Sequence, residues 1–395
     1  MTSRLNTLLG QGSNTPYLPL AQVAPLVRRD VVIDPAVTYI ELGVRSFHKG
    51  TFHRRNLTGA EFSWQDLYRV NHGDLVFSNI MAWEGAVAMA GPQDDACIGN
   101  HRMLTCACDP ELADPAFLAH YFTTAEGMAK LVGVSTGTVA RNRTLTATAL
   151  GRIEVPMPSL QIQQRVVSHM DALRSKTMQV AAHLAAIEID AQRLLDCMFQ
   201  RMLQDAPTRP MNEVAPLLRR AISIDPVGSY TELGLRSFYK GTFKRRTMKG
   251  SDYSWQDIYR VQTGDLIFSN IMAWEKAIAV ATQTDDGCVV NHRMLTCAVN
   301  EALAIPGFLW HYFTTEEGFK HITAASPGTA ARNKTLAVPT LMQIAVPVPP
   351  LATQQAFERA QSKINTLKLR HTEIRAANDA LIPATLERIF QPVGA

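Results

Sequence analysis

The chain has 395 residues and carries 39 lysines and arginines against 35 aspartates and glutamates, a formal net charge of +4. That length suits about two or three domains with cores of their own, and the small charge does not by itself point to a polyanionic partner. Apolar runs are short and broken by charge, the start Met1-Thr-Ser-Arg4 lacks the apolar stretch of a secretion signal, and six cysteines do not suggest a disulfide scaffold. A membrane span and export are therefore not expected, and the chain reads as cytoplasmic.

In chain order the first pattern is an α/β mixture. Short runs such as Val31-Val-Ile33, Thr38-Tyr-Ile40, Asp74-Leu-Val-Phe77 and Ala86-Val-Ala-Met89 are punctuated by Gly50, Gly59, Gly73 and Gly91, which predicts a twisted sheet with turns. Helical stretches follow at Pro115–Phe122 and Glu126–Leu131, and Val155-Pro-Met-Pro158 closes the domain, because proline ends strand pairing and cannot enter a helix interior.

A long helix is predicted next. Val166, Met170, Leu173, Thr177, Val180, Leu184, Ile187, Ala191, Leu194 and Met198 alternate in steps of four and three, the a/d seam of a coiled coil. The seam would form a rod of roughly 48 Å at 1.5 Å per residue. Each large apolar residue it buries contributes about 1.5 to 3 kcal/mol, so the seam needs a partner.

Everything from Val23 then recurs from Val214 at a constant offset of 191, as in Trp64 and Trp255, Arg141 and Arg332, Pro156 and Pro347. Phe77-Ser-Asn-Ile-Met-Ala-Trp-Glu84 is identical to Phe268–Glu275, and Asn100-His-Arg-Met-Leu-Thr-Cys-Ala107 to Asn291–Ala298. A unit this large is no solenoid repeat; it implies a pseudo-twofold molecule that performs one task twice. The second seam is Ala360, Ile364, Leu367, His371, Ile374, Asn378 and Leu381, with polar His371 and Asn378 at core positions and Pro383 near the end. The two helices are expected to pair with each other, those polar residues fixing register; the alternative is that each packs on its own domain. The Cys106-Ala-Cys108 pair is not repeated, since Val299 replaces its second cysteine, which argues against zinc.

This order of parts resembles the specificity (S) subunit of type I restriction-modification systems. The resemblance rests on Tyr39–Arg45, Lys49–Phe52, Tyr68–Asp74 and Gly137–Arg141, similar to target-recognition-domain signatures, and on Pro156–Gln164, similar to the junction into that family's helix. Each recurs in the second copy, at Tyr230–Arg236, Lys240–Phe243, Tyr259–Asp265, Gly328–Arg332 and Pro347–Gln355. It implies an internally duplicated α/β chain: target-recognition domains at 17–158 and 209–349, helical spacers at 159–208 and 350–390, and two long antiparallel helices holding the domains apart. It further implies duplex DNA, two modification (methyltransferase) subunits and restriction subunits as partners. In that family a modification subunit flips and methylates an adenine from S-adenosylmethionine and a restriction subunit uses ATP and Mg²⁺, so none of these cofactors is expected on this chain.

Three clusters carry the chemistry that DNA contact needs. Arg45, His48, Lys49, His53, Arg54 and Arg55 are matched by Arg236, Lys240, Lys244, Arg245, Arg246 and Lys249; on a glycine-containing hairpin braced by Phe47, Phe52, Phe238 and Phe243 they suit phosphates, or form a solvated hairpin. Asn100, His101 and Arg102, with Asn291, His292 and Arg293, hold the side-chain types that read adenine and guanine, or else satisfied polar groups at a strand start. Thr138, Arg141, Asn142 and Arg143, with Thr329, Arg332, Asn333 and Lys334, form a Gly-Thr turn and a basic-Asn-basic triplet that cradle phosphate, or else a plain capped loop, without the lysine end of a nucleotide-binding loop.

Trp83 and Trp274 are read as core, and carboxylates such as Asp265 and Glu275 as strand ends rather than a metal nuclease. No amino-methylation, zinc-protease or serine-hydrolase motif occurs, so the chain is expected to be non-catalytic. The competing class is a pseudo-symmetric protein-binding scaffold or decoy specificity subunit; a DNA mimic would be acidic, which this chain is not.

Overall fold

A computed structural model describes residues 15–62, 66–137, 143–253, 257–328 and 334–390. The chain divides into two units, residues up to Leu184 together with those from Thr372, and Ala185–His371.

The strands of the first unit are β1 (Tyr17–Pro19), β2 (Thr38–Val44), β3 (Thr51–Thr58), β4 (Leu67–Arg69), β5 (Leu75–Ser78), β6 (Val87–Met89), β7 (Ile98–Asn100), β8 (Met103–Cys106) and β9 (Glu154–Pro156). They form a four-stranded sheet ordered β3-β2-β7-β4, a three-stranded sheet ordered β6-β5-β8, and the pair β1-β9. The helices are α1 (Leu20–Val23), α2 (Pro115–Tyr121), α3 (Ala125–Val134), α4 (Ala147–Gly151) and the start of α5 (Leu160–Leu203). Strand β5 explains the layering. Leu75 and Phe77 join a core that includes Phe117, Tyr121 and Phe122 of the helical side, whereas Val76 packs with Leu42 and Val70 of the other sheet. A strand covered on both faces reads as an unbroken apolar run. The run Val31–Ile33 is not a strand: Val32 is 94% exposed and this stretch pairs only through a single bridge from Asp30 to Tyr68.

The second unit repeats the plan with β10 (Thr208–Pro210), β11 (Ser229–Leu235), β12 (Thr242–Lys249), β13 (Ile258–Arg260), β14 (Leu266–Ser269), β15 (Ile278–Val280), β16 (Val289–Asn291), β17 (Met294–Cys297) and β18 (Ala345–Pro347). Its sheets are ordered β12-β11-β16-β13 and β15-β14-β17, with the pair β10-β18. Its helices are α6 (Met211–Val214), α7 (Pro306–Thr314), α8 (Glu316–Ala324), α9 (Val338–Gln343) and the start of α10 (Leu351–Phe390).

Each long helix starts on its own domain and contributes its far end to the other unit. In the first unit Val166 and Met170 of α5 share a core with Leu386, Ile389 and Phe390 of α10, and Asn378 Nδ2 donates to the Thr177 carbonyl at 3.1 Å. In the second unit Leu195 and Phe199 pack with Phe357, Lys368 Nζ donates to Gln192 Oε1 at 3.1 Å, and His371 Nδ1 lies 2.9 Å from Glu188 Oε1. Rising numbers on α5 meet falling numbers on α10 in both units, so the segments run antiparallel and the expected helix–helix pairing holds. The polar core residues His371 and Asn378 both find partners across it.

The seam corrects the heptad reading in one respect. Val166, Met170, Thr177 and Leu184 are buried as expected, but Val180, Ile187 and Leu194 are 37%, 47% and 57% exposed, and towards the end of the helix the buried positions are Leu195, Phe199 and Met202. In α10, Ile374 and Leu381 are likewise exposed while Ile382, Leu386 and Ile389 face the core. An α-helix drifts about 20° per heptad, and an eleven-residue step from Leu184 to Leu195 absorbs that drift where a strict a/d seam would need supercoiling.

Gln163 locks the start of α5 to its domain. Fully buried, it donates from Nε2 to the carbonyls of Leu112 and Pro158, both at 2.9 Å, and accepts from the Asp114 N–H at 2.8 Å. Gln354 makes the same three bonds with Leu303, Pro349 and Ile305.

Candidate nucleic-acid interface

The basic hairpin is β2–β3, joined by Arg45–Gly50. Its register slips between Glu41 and Leu42, so Arg54 is an extra residue on β3 and a neighbour of Arg55 on one side of the strand. Both guanidiniums reach the largely buried Glu41, Arg54 at 3.2 Å and Arg55 at 3.0 Å, and remain more than half exposed. One carboxylate thus holds two arginines and leaves the hairpin positive. In the second unit the same slip lies between Thr231 and Leu233, and Arg246 pairs with Glu232 at 2.9 Å.

Not every member of the cluster adds charge to the surface. His48 is half-buried against Gly85, its Nδ1 is buried without a hydrogen-bond partner, and burial pushes its pKa down from the ordinary histidine value. His53 Nε2 stands 3.1 Å from Asp94 Oδ1, which also accepts at Oδ2 from Thr51 Oγ1 at 2.7 Å, a tie that pins the hairpin. Lys249 lies at the end of β12 away from the connecting loop. Arg45 and Arg236 lie over the rings of Phe52 and Phe243 at 4.8 and 5.2 Å, so these aromatics brace the loop as read from the sequence. Phe47 and Phe238 do not: they are 67% and 65% exposed.

The turn joining β7 to β8 carries the second cluster. Asn100 Oδ1 accepts from the Arg102 N–H at 2.9 Å, and Asn291 Oδ1 from the Arg293 N–H at 3.0 Å. The asparagine shapes the turn, which leaves exposed His101 and Arg102, and likewise His292 and Arg293, facing outward. A cleft of about 390 Å³ brings this turn and the hairpin together: Arg54, Phe52, Asn100, His101 and Arg102 line it with Ser78 and Met81. In the second unit Arg245 and Asn291 line a smaller recess.

Of the third cluster, Thr138, Arg141, Asn142, Thr329, Arg332 and Asn333 lie outside the described residues, as do Trp64 and Trp255. Its described end is informative. The Arg143 guanidinium sits 5.5 Å from the Trp83 ring centre, and Lys334 Nζ 5.3 Å from that of Trp274. These tryptophans are half-buried rather than core, because the short turns Ala82–Glu84 and Ala273–Glu275 carry them past the strand end, where their Nε1 donates to Ile80 and Ile271 carbonyls at 2.9 Å.

All three clusters converge on the segment Phe77–Glu84, whose role the sequence reading missed although its identity in both copies was the signal. The hairpin loop reaches it through Phe47 N–H to the Glu84 carbonyl at 2.8 Å, the turn through Asn79 N–H to the Arg102 carbonyl at 2.8 Å, and the third loop through Leu145 N–H to the Asn79 carbonyl at 2.7 Å. The second unit repeats each bond, from Phe238 to Glu275, Asn270 to Arg293 and Leu336 to Asn270, at 2.9, 2.7 and 2.7 Å. One segment therefore ties hairpin, turn and loop together in each unit.

The carboxylates nearby are committed elsewhere. Arg29 grips Asp74 at 2.6 and 3.0 Å, Arg220 grips Asp265 at 2.7 and 3.0 Å, and Ser237 Oγ donates to Glu275 at 3.2 Å. Among the described residues no group of three potential metal ligands comes together, and no helix is long and apolar enough to cross a membrane.

No protein-family model and no curated protein matches the sequence. Solved structures do. The HsdS subunit from Thermoanaerobacter tengcongensis superposes with a TM-score of 0.67 at 17% identity, over 96% of this chain and 98% of that one. A chain from a structure described as the structural basis of complex assembly and conformational transition of the type I R-M system gives 0.64 at 18% identity, over 95% and 97%. The chain has the fold of these proteins, with two sheet-rich domains and long helices, and the α/β duplication expected from the sequence is present.

Proposed function

We propose that this chain is the DNA-reading specificity subunit of a type I restriction-modification system. It binds duplex DNA at a bipartite, near-palindromic site, each unit reading one half, and directs methyltransferase subunits, and restriction subunits where present, to that site in the cytoplasm. The observation that carries the reading is the convergence of Arg54, Arg102 and Arg143 on one segment, Phe77–Glu84, repeated in the second unit, on a fold shared with HsdS over nearly its whole length.

Arginines and lysines on such a surface neutralise phosphates and fix register, while exposed side chains on the β7–β8 and β16–β17 turns reach base edges. Chemistry belongs to the partners: S-adenosylmethionine to the methyltransferase, ATP and Mg²⁺ to the restriction subunit, and no cofactor to this chain.

The test is electrophoretic mobility shift with the co-expressed methyltransferase subunit at two salt concentrations. The chain alone is expected to bind weakly and the complex tightly, with log K falling against log salt by about 0.9 per phosphate neutralised. Binding that ignores salt, or methylation or cleavage by the lone chain, refutes the proposal.

A further inference from the structure

Phe47 and Phe238 occupy equivalent places in the hairpin loops and share two uncommon features. Their rings are 67% and 65% exposed, and their backbones are left-handed, with φ of 61° and 60°. The next residues, His48 and Tyr239, are left-handed as well, at 55° and 57°. Bulky side chains enter this region at an energetic cost, and such residues concentrate where geometry serves function.

The surroundings hold that geometry in place. The N–H groups of Phe47 and His48 donate to the carbonyls of Glu84 and Gly85 at 2.8 and 3.0 Å, and those of Phe238 and Tyr239 to Glu275 and Lys276, both at 2.9 Å. The second residue of each pair is anchored inward by different means. His48 fills the space beside Gly85, whereas Tyr239 donates its hydroxyl hydrogen to the Phe313 carbonyl at 3.0 Å and lies beneath Lys276. Two unlike anchors thus support the same outward phenylalanine. A cation accompanies each ring, Lys49 Nζ at 5.8 Å from Phe47 and Lys240 Nζ at 6.0 Å from Phe238.

We infer that Phe47 and Phe238 are apolar wedges that insert between stacked base pairs of the bound duplex, one in each half-site, while Lys49 and Lys240 take the flanking phosphates. This rests on the DNA-reading function proposed above. The positive hairpin says which polyanion the exposed ring meets: an apolar ring among cations suits a base step flanked by phosphates, and side chains of this kind unstack and kink DNA. Base faces accept an aromatic ring whatever their sequence, so the wedge positions the duplex without specifying its bases.

Positive φ supplies a clean variant. Phe47→Gly and Phe238→Gly remove the ring and suit the backbone, and Phe47→Asn and Phe238→Asn, also at home there, guard against a loosened loop. Each is tested in the full chain, co-purified with its methyltransferase subunits, on duplexes that the wild-type complex enriches from a random library. Each single variant should weaken binding about ten-fold and the double variant about a hundred-fold, with assembly and the salt slope unchanged, because no charge is lost. Lys49→Ala should instead reduce that slope by about 0.9. A 2-aminopurine scanned through each half-site should brighten in the wild-type complex at one step besides the adenine that the methyltransferase flips, and at that step alone stay dark in the Gly variant.

Wild-type affinity in the Gly and Asn variants, or loss of the methyltransferase subunits from them, overturns the wedge, the latter placing the ring at a protein interface. If the wild-type complex enriches no duplex, the DNA-reading function itself fails and the wedge with it.

Discussion

Phe390 stands 5.1 Å from Phe117, ring centre to ring centre, and 191 positions earlier Phe199 stands 5.7 Å from Phe308, itself 191 positions beyond Phe117. The last turns of the two helices therefore plug equivalent holes, each in the unit to which its own domain does not belong. Phe390 also meets Tyr121 at 5.5 Å, and Phe199 meets Phe357 at 5.1 Å. Phe390→Ala and Phe199→Ala should each cost about 3 to 5 kcal/mol, the range for emptying a phenylalanine site in a core. Because the two rings share no partner, the losses should add. Hydrogen exchange read by peptide separates them: Phe390→Ala loosens α2 and spares α7, and Phe199→Ala does the reverse.

Gln163 and Gln354 should be as sensitive as core apolar residues. Gln163→Ala strips the Asp114 N–H and the carbonyls of Leu112 and Pro158 of their partner, in a place water does not reach. An unsatisfied buried polar group costs about 1 to 3 kcal/mol, so a drop of at least that size in urea-unfolding stability is expected, while Gln164→Ala on the exposed side should change little.

That glutamine shows what a sequence can disclose. Its position after a proline segment, twice over, was visible as a motif, but two of its three bonds depend on chain about fifty residues upstream. Duplication, domain type and the existence of the long helices were legible because each is a periodic or repeated pattern. The far half of the seam was not, since a heptad template counts Leu194 and Leu381 as core where helical drift turns Leu195 and Ile382 inward instead. The candidate clusters were legible by charge. Their common support was not, because Phe77–Glu84 contributes chiefly backbone groups, which leave no trace in composition.

Acid should weaken the fold in a definite direction. His48, His120 and His311 all have depressed pKa values, first by burial, with Arg174 adding to the effect at His120 and Asp196 opposing it at His311. In the unfolded chain they take protons near the ordinary value of about 6.5. Between that pH and their lower folded values the unfolded state binds more protons, so stability rises with pH. Their contribution is complete above the unfolded value and is lost as pH falls through the window beneath it. Urea midpoints at pH 7.5 and 5.5 check this: His311→Leu should lessen the decline between them.

The Glu41 arrangement makes a charge prediction. Arg54→Ala and Arg55→Ala should each weaken DNA binding and lower the salt slope by about 0.9 if the residue meets one phosphate. Glu41→Gln should act in the opposite sense, since it removes the one carboxylate that both guanidiniums share. Tighter binding at low salt and a steeper slope are expected, read by mobility shift across a salt series. Unchanged slopes in all three variants would take the hairpin off the DNA.

The two half-sites should be nearly the same sequence. Exposed His101 and Arg102 match His292 and Arg293 on turns of the same geometry, and Arg54 matches Arg245 beside them. Several differences between the copies fall at residues engaged within their own unit. Lys276 in place of Gly85 is matched by Tyr239 in place of His48, and its ammonium lies over the rings of Tyr239 and Phe319 at 5.7 and 5.2 Å, an internal exchange. His53 is held by Asp94, and Thr247, opposite Asn56 in the repeat, bonds Thr231 at 3.0 Å. Lys244, replacing His53, and Lys334, replacing Arg143, are exchanges left to alter a base or phosphate contact. Methylome sequencing of cells carrying this chain with its methyltransferase should therefore show adenine methylation in two half-sequences that agree at all but about one position. Arg102→Ala and Arg293→Ala should each cost about 1 to 3 kcal/mol and relax one half-site alone. Two unrelated half-sequences would mean that residues other than these identical turns read the bases.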